Sequence, residues 1–167
     1  MSLTTRILQT WRDPRAVMRG HLVQGAREDR ALAILMGACL MVFVAQWPGL
    51  SRAAHLDPSV PLDARLSGAL MGTLFLVPLL AYVLAAVSHL VARLMGGQGT
   101  WFGARMALFW SLLAVSPLML FQGLVAGFVG PGPSATLSGL VVLAGFLFLW
   151  GNALIASESA DTPTRRS

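Results

Sequence analysis

Hydrophobic positions in this chain come in long blocks that charge does not interrupt. From Met106 to Ser157 there is no Asp, Glu, Lys or Arg, and Gly130-Pro131-Gly132-Pro133 breaks the block near its middle. One bilayer crossing takes about 20 apolar residues at 1.5 Å rise each, so this block holds two crossings and a tight turn. A re-entrant hairpin is the alternative, although each half is long enough to cross. Two further uncharged stretches, Ala31–Ser51 and Leu66–Ala92, lie upstream. The pattern predicts an all-α fold, a polytopic transmembrane helical bundle of about four spans: 31–47, 66–94, 104–129 and 135–156. Residues 31–156 then form one transmembrane domain between an N-terminal segment, 1–30, and a polar C-terminal tail, 157–167. Pro48-Gly49 is expected to end the first span, while Pro78 and Pro117 fall inside the second and third. Each removes a backbone donor and is expected to bend its helix.

The N-terminal segment is patterned differently. Asp13-Pro14 reads as a helix start, with Asp at the N-cap and Pro at the first helical position. Val17, Met18, His21, Leu22 and Gly25 then fall near one side, and Arg15, Arg19 and Arg27 toward the other. That is the pattern of a short amphipathic helix lying in the headgroup zone; an irregular lead-in fits the short window equally.

Composition agrees with a membrane assignment. The chain has 167 residues, 56% hydrophobic and only 11% charged, against about a quarter charged in soluble proteins. Its net charge of +5 comes entirely from 12 Arg, with no Lys, a usage expected of a GC-rich bacterium. These Arg flank the spans instead of forming one basic face, which argues against nucleic acid and for phospholipid headgroups. With the N-terminus inside, Arg6, Arg12, Arg15, Arg19, Arg27, Arg30, Arg93, Arg105, Arg165 and Arg166 are cytoplasmic, and only Arg52 and Arg65 lie opposite. The positive-inside rule then places both termini in the cytoplasm and the protein in a bacterial inner membrane. Trp11, Trp47, Trp101 and Trp150 sit near expected span ends, whereas Trp110 lies deeper and reads as packing. The first span follows 30 residues carrying six Arg and three acids, so it is expected to remain in the mature protein and not to act as a cleaved signal. The lone Cys39 has no partner for an internal disulfide.

Candidate chemistry is sparse. His89 is the one readily charged side chain placed inside a span away from its Arg boundaries, and an intramembrane ionisable group is by default a functional candidate. It lies four residues before Arg93, near the membrane edge, and no carboxylate is expected beside it within a span. Gln46, Thr73, Ser88, Ser111, Ser116, Gln122 and Asn152 read as interhelical hydrogen-bond formers. Two GxxxG patterns, Gly68/Gly72 and Gly123/Gly127, offer smooth faces for close helix approach, either within the chain or to another copy. Gly96-Gly97-Gln98-Gly99 lacks the Lys-Ser/Thr of a phosphate loop and reads as a helix end and turn. No cofactor, metal site or catalytic group is expected.

The run Gly96-Gly97-Gln98-Gly99-Thr100-Trp101-Phe102, followed by an apolar helix reaching Ser116-Pro117-Leu118-Met119-Leu120, resembles the centre of the bacterial Yip1-domain membrane proteins. Upstream, Trp11-Arg12-Asp13-Pro14-Arg15 resembles the short stretch that opens such proteins. The resemblance implies a helical membrane domain with a cytoplasmic N-terminus and structural roles for Pro14, Gly96, Gly97, Gly99 and Pro117. It implies no catalytic residues, and family members typically show one span more than the pattern here. The expected function is non-enzymatic: organising or associating with other membrane proteins, with itself, or with lipids. An accessory subunit of a larger inner-membrane complex and a small transporter or channel are the alternatives.

Overall fold

The computed structural model describes residues 3–159. Two short helices, α1 (Leu3–Arg12) and α2 (Pro14–Val23), precede α3 (Glu28–Leu56). A second long rod consists of α4 (Leu62–Met71), a π-helical turn (Gly72–Leu76) and α5 (Val77–Leu94); α6 (Trp101–Phe128) and α7 (Pro133–Glu158) complete the chain. Four segments are long and apolar enough to cross a membrane: Glu28–Leu56, Leu62–Leu94, Trp101–Phe128 and Pro133–Glu158. The protein is therefore an all-helical, multi-pass membrane protein. The start of α3, the end of α5, the start of α6 and the end of α7 share one end of the bundle. There Arg105 donates to Glu28 Oε1 at 2.6 Å and His89 meets Glu158 at 2.7 Å.

Helix α6 is the hub. Half of its most apolar stretch is buried, against 17% for the second and fourth spans, because α3, α5 and α7 all pack on it. Phe109, Met106 and Leu108 of α6 form the main core with Leu35 and Cys39 of α3, Ala81 and Ala85 of α5, and Met18 of α2. Toward the far end, Gly123 lies against the Ala45 carbonyl and Gly127 against Pro48, leaving neither position room for a Cβ. Gly68 and Gly72, by contrast, have nothing within 4 Å of the place a methyl group would take.

Three prolines interrupt the hydrogen-bond ladder, and each is accommodated differently. Pro117 leaves the Leu113 carbonyl without its usual donor, and the Ser116 hydroxyl donates to that oxygen at 2.8 Å. One residue on, the Trp11 indole donates to the Ala114 carbonyl at 3.2 Å. Before Pro78 the helix widens into the π turn, where Val77 N–H reaches back to Gly72 O. Thr73 in that turn accepts from Gln46 Nε2 of α3 at 3.0 Å. Pro48 does not end the first span: α3 continues through it to Leu56. The Pro48 ring is housed against Gly127, and the extended turn carries Arg52 to the end of α6, where its guanidinium donates to Gly127 O at 3.3 Å and Phe128 O at 3.4 Å. A cation thus satisfies the last carbonyls of an apolar helix.

The N-terminal segment is two helices docked on the bundle. Asp13 caps α2, its carboxylate accepting from Ala16 N at 2.9 Å, and Pro14 opens the helix. Helix α1 has no counterpart in the sequence pattern; its register places Thr10 and Trp11 together on the inward side. Thr10 Oγ1 accepts from Trp110 Nε1 at 3.0 Å, and Trp11 fills the space that Gly145 of α7 leaves. Buried His21 packs its ring on Trp110 at 4.3 Å, and Arg30 donates to its Nδ1. Arg15 holds Asn152 of α7 at 3.0 Å. One boundary also differs at the chain's end. Ser157 and Glu158, expected in the polar tail, continue α7, because hydropathy marks the apolar stretch and not the last hydrogen-bonded turn. Arg165 and Arg166 lie outside the described residues.

This packing makes two expectations measurable. Gly123→Leu drives a side chain into the Ala45 backbone and is expected to destabilise the detergent-solubilised protein by at least the 1–3 kcal/mol typical of overpacking, whereas Gly68→Leu leaves its melting temperature unchanged. Burial, then Arg30 and Arg6, lower the His21 pKa from 6.5 to about 4. An undocked segment therefore takes up a proton below pH 6.5 that the docked one refuses until about pH 4. Docking is at full strength above that window and weakens as pH falls through it. Limited proteolysis of the N-terminal helices should report the loss, and a His21→Asn variant showing the same pH profile would sink the assignment to His21.

Candidate functional site

Polar groups concentrate where α5 ends, α6 begins and α7 ends. Gly96 sits at φ +93, a left-handed conformation that suits a residue without a side chain. It closes α5 in a Schellman arrangement: Gly97 N–H bonds Ala92 O at 2.8 Å and Gly96 N–H bonds Arg93 O at 3.0 Å. Thr100 then caps α6, its hydroxyl accepting from Gly103 N at 3.0 Å. Between these two caps the chain crosses the end of α7 at close range. Gln98 N–H donates to the Glu158 carbonyl at 3.1 Å, and Gly99 N–H donates to Glu158 Oε2 at 3.0 Å. A Cβ at Gly97 would lie 2.7 Å from Glu158 Oε2, and one at Gly99 would lie 2.5 Å from the Ser157 carbonyl. The glycines are thus needed for the approach as well as for the turn.

His89 completes the junction. Its Nδ1 donates to Glu158 Oε1 at 2.7 Å, a length typical of a charge-assisted bond, with side chains only 1% and 8% exposed. The Trp101 ring packs on the imidazole at 4.5 Å. The expectation that no carboxylate accompanies His89 within a span is therefore corrected: α7 runs two residues beyond Ala156 and carries Glu158 into the bundle. Below the junction a cavity of about 590 Å³ opens between α5 and α7, with apolar walls and Ser88 and Glu158 at its polar edge.

The geometry is that of a clasp. Ser88 donates to Ala85 O and the Thr100 hydroxyl caps α6, so neither hydroxyl is held by His89 as a nucleophile. Among the described residues no group of three or more His, Cys, Asp or Glu comes together. Of the candidate residues, His89, Gly96, Gly97 and Gly99 meet here. Pro14 is buried at the start of α2, Gly68 and Gly72 lie on the open face of the second span, and Pro78 follows the π turn. Pro117, Gly123 and Gly127 lie along α6. Glu158 is the member that sequence reasoning missed; an acid within one helical turn of a span's apparent end is the signal that points to it.

Removing one partner of a buried pair typically costs about 3–5 kcal/mol. Glu158→Ala and His89→Ala are each expected to lower stability on that scale, with the double variant no worse than either alone. Thermal unfolding in detergent measures this, and strictly additive losses would show that the two side chains do not act as a pair.

No curated protein and no solved structure matches the chain. The model of the Yip1 domain matches residues 8–166, taking in the second half of α1, α2, all four spans and the glycine turn around Glu158. On that match the chain belongs to the Yip1 domain family.

Proposed function

We propose that this Yip1-type membrane protein works without catalysis, by organising or associating with other membrane proteins or lipids. The family is generally non-enzymatic, and the polar side chains of the junction are spent on holding helices together. The observation that carries the reading is the open small-residue face of the second span. Gly68 and Gly72 stand one turn apart with nothing packed on them, flanked by exposed Met71 and Phe75. In lipid, where helices gain nothing from leaving water, such a face favours close van der Waals contact with another helix. Arg27, Arg30, Arg93 and Arg105 flank the clasp end, against Arg52 and Arg65 at the other. This asymmetry supports a cytoplasmic N-terminus in a bacterial inner membrane. A role as an accessory subunit of a larger complex uses the same face.

A small transporter is the second reading. A cavity of about 440 Å³ bordered by α3 and α6 is lined by Gln46 and Gln122, two amides at membrane depth. The two readings separate in one set of variants. Mild-detergent purification from the native membrane is expected to recover a stoichiometric partner from wild type but not from Gly68→Leu or Gly72→Leu, with folding intact in all three. Association untouched by both substitutions, or a solute flux in reconstituted vesicles that Gln122→Ala abolishes, would overturn the association reading.

A further inference from the structure

Helices α1 and α2 meet the bundle with one side only. Thr10, Pro14, Met18 and His21 are buried, and on the other side the two helices enclose a cleft of about 400 Å³. Arg6, Gln9 and Arg12 of α1 form one wall, Asp13 and Gln24 stand at the ends, and Ala16 and Gly20 make a shallow floor. Nothing lies within 4 Å of a Cβ position at Gly20, so the floor is open. Among the described residues neither Arg6 nor Arg12 pairs with an acid. Asp13 directs its carboxylate to its own helix, at Ala16 N. From Leu3 to Val23 there are four Arg against one Asp, and His21, with its pKa lowered to about 4, adds no charge at neutral pH.

The cleft's position says what reaches it. Trp11, beside Arg12, bonds the Ala114 carbonyl, thirteen residues after Trp101 at the start of α6. At 1.5 Å per residue that is roughly 20 Å along the helix. Leu8 at 69% and Val23 at 76% exposure present apolar side chains on the same helix pair, as a segment seated among acyl chains does. The cleft therefore runs inward from Gln24, which Arg30 near the start of α3 contacts, with Arg6 beside the outer end and Arg12 deeper. Two guanidinium forks without an acid partner match a phosphodiester that enters from that outer end and whose oxygens accept parallel N–H bonds.

We propose that the α1–α2 cleft binds the headgroup of one phospholipid of net negative charge, with Arg6 and Arg12 as ligands of its phosphodiester. A choline cation on the same phosphodiester is repelled by the two Arg, since the Asp13 carboxylate is engaged by its own helix. The proposal stands apart from the helix-association reading and survives its failure. The test uses the full chain in detergent, supplied with phosphatidylglycerol and phosphatidylcholine in equal amounts, with bound lipid counted by native mass spectrometry. Wild type is expected to retain phosphatidylglycerol preferentially, by about tenfold, the scale of one charge-assisted contact. Arg6→Gln/Arg12→Gln is expected to bring the ratio near parity, and Arg93→Gln to leave it unchanged. An unaltered preference in the double variant, or an equal loss with Arg93→Gln, would show diffuse surface charge and overturn the site. Displacement by excess inorganic phosphate would make it a simple-anion site, which also overturns the assignment to lipid. Should the double variant not fold, a benzophenone side chain at Gly20 of the otherwise intact protein gives the answer. It should photocrosslink to phosphatidylglycerol in preference to phosphatidylcholine, and equal adducts would refute the proposal.

Discussion

A carboxylate at the mouth of a membrane bundle has little water to fall back on, so its oxygens must find donors within the protein. Glu158 finds them on two other elements: the imidazole of α5 and the backbone of the turn between α5 and α6. Its own carbonyl takes a third donor from that turn. This one residue therefore ties the end of the last span to the junction between the second and third. The glycine turn, the Schellman closure of α5 and the Thr100 cap of α6 are the local geometry by which the backbone reaches it. Without the pairing, the end of α7 would hold an uncompensated charge beside an apolar cavity.

The same constraint explains how this chain tolerates proline in three of its spans. A proline frees a carbonyl, and in lipid a freed carbonyl needs another donor. The hydroxyl of Ser116 supplies it next to Pro117, while a wider helical turn absorbs Pro78 and turns Thr73 toward Gln46. Polar side chains that look isolated in an apolar run are thus part of the backbone's own bonding. Arg52 serves the same purpose at the far end, meeting the last carbonyls of α6.

The four spans are legible in the sequence because charge is excluded from a bilayer core, and a soluble protein has little use for an uncharged run long enough to cross one. The Asp13-Pro14 start of α2 is legible because cap chemistry is local. What escapes a linear reading depends on neighbours far along the chain. Pro48 reads as a stop until Gly127, on another helix, makes room for its ring. Helix α1 is too short to show a clear period, and its burial depends on Trp110 and Gly145. Glu158 reads as tail because hydropathy sees one side chain, whereas the fold surrounds it with donors from residues 89 and 99. The candidate site is therefore half visible in the sequence: its histidine and glycines can be named there, and the acid that unites them cannot.

The seat of Trp11 has a consequence for biogenesis. Its indole rests between the Ala114 carbonyl of α6 and the bare backbone of Gly145 in α7, so the helices made first have no complete resting place until the final span is in the membrane. During synthesis the N-terminal pair cannot complete these contacts while the rest of the chain is still being threaded. Its docking then marks completion: in a chain stalled before α7, Trp11 lacks the Gly145 side of its seat.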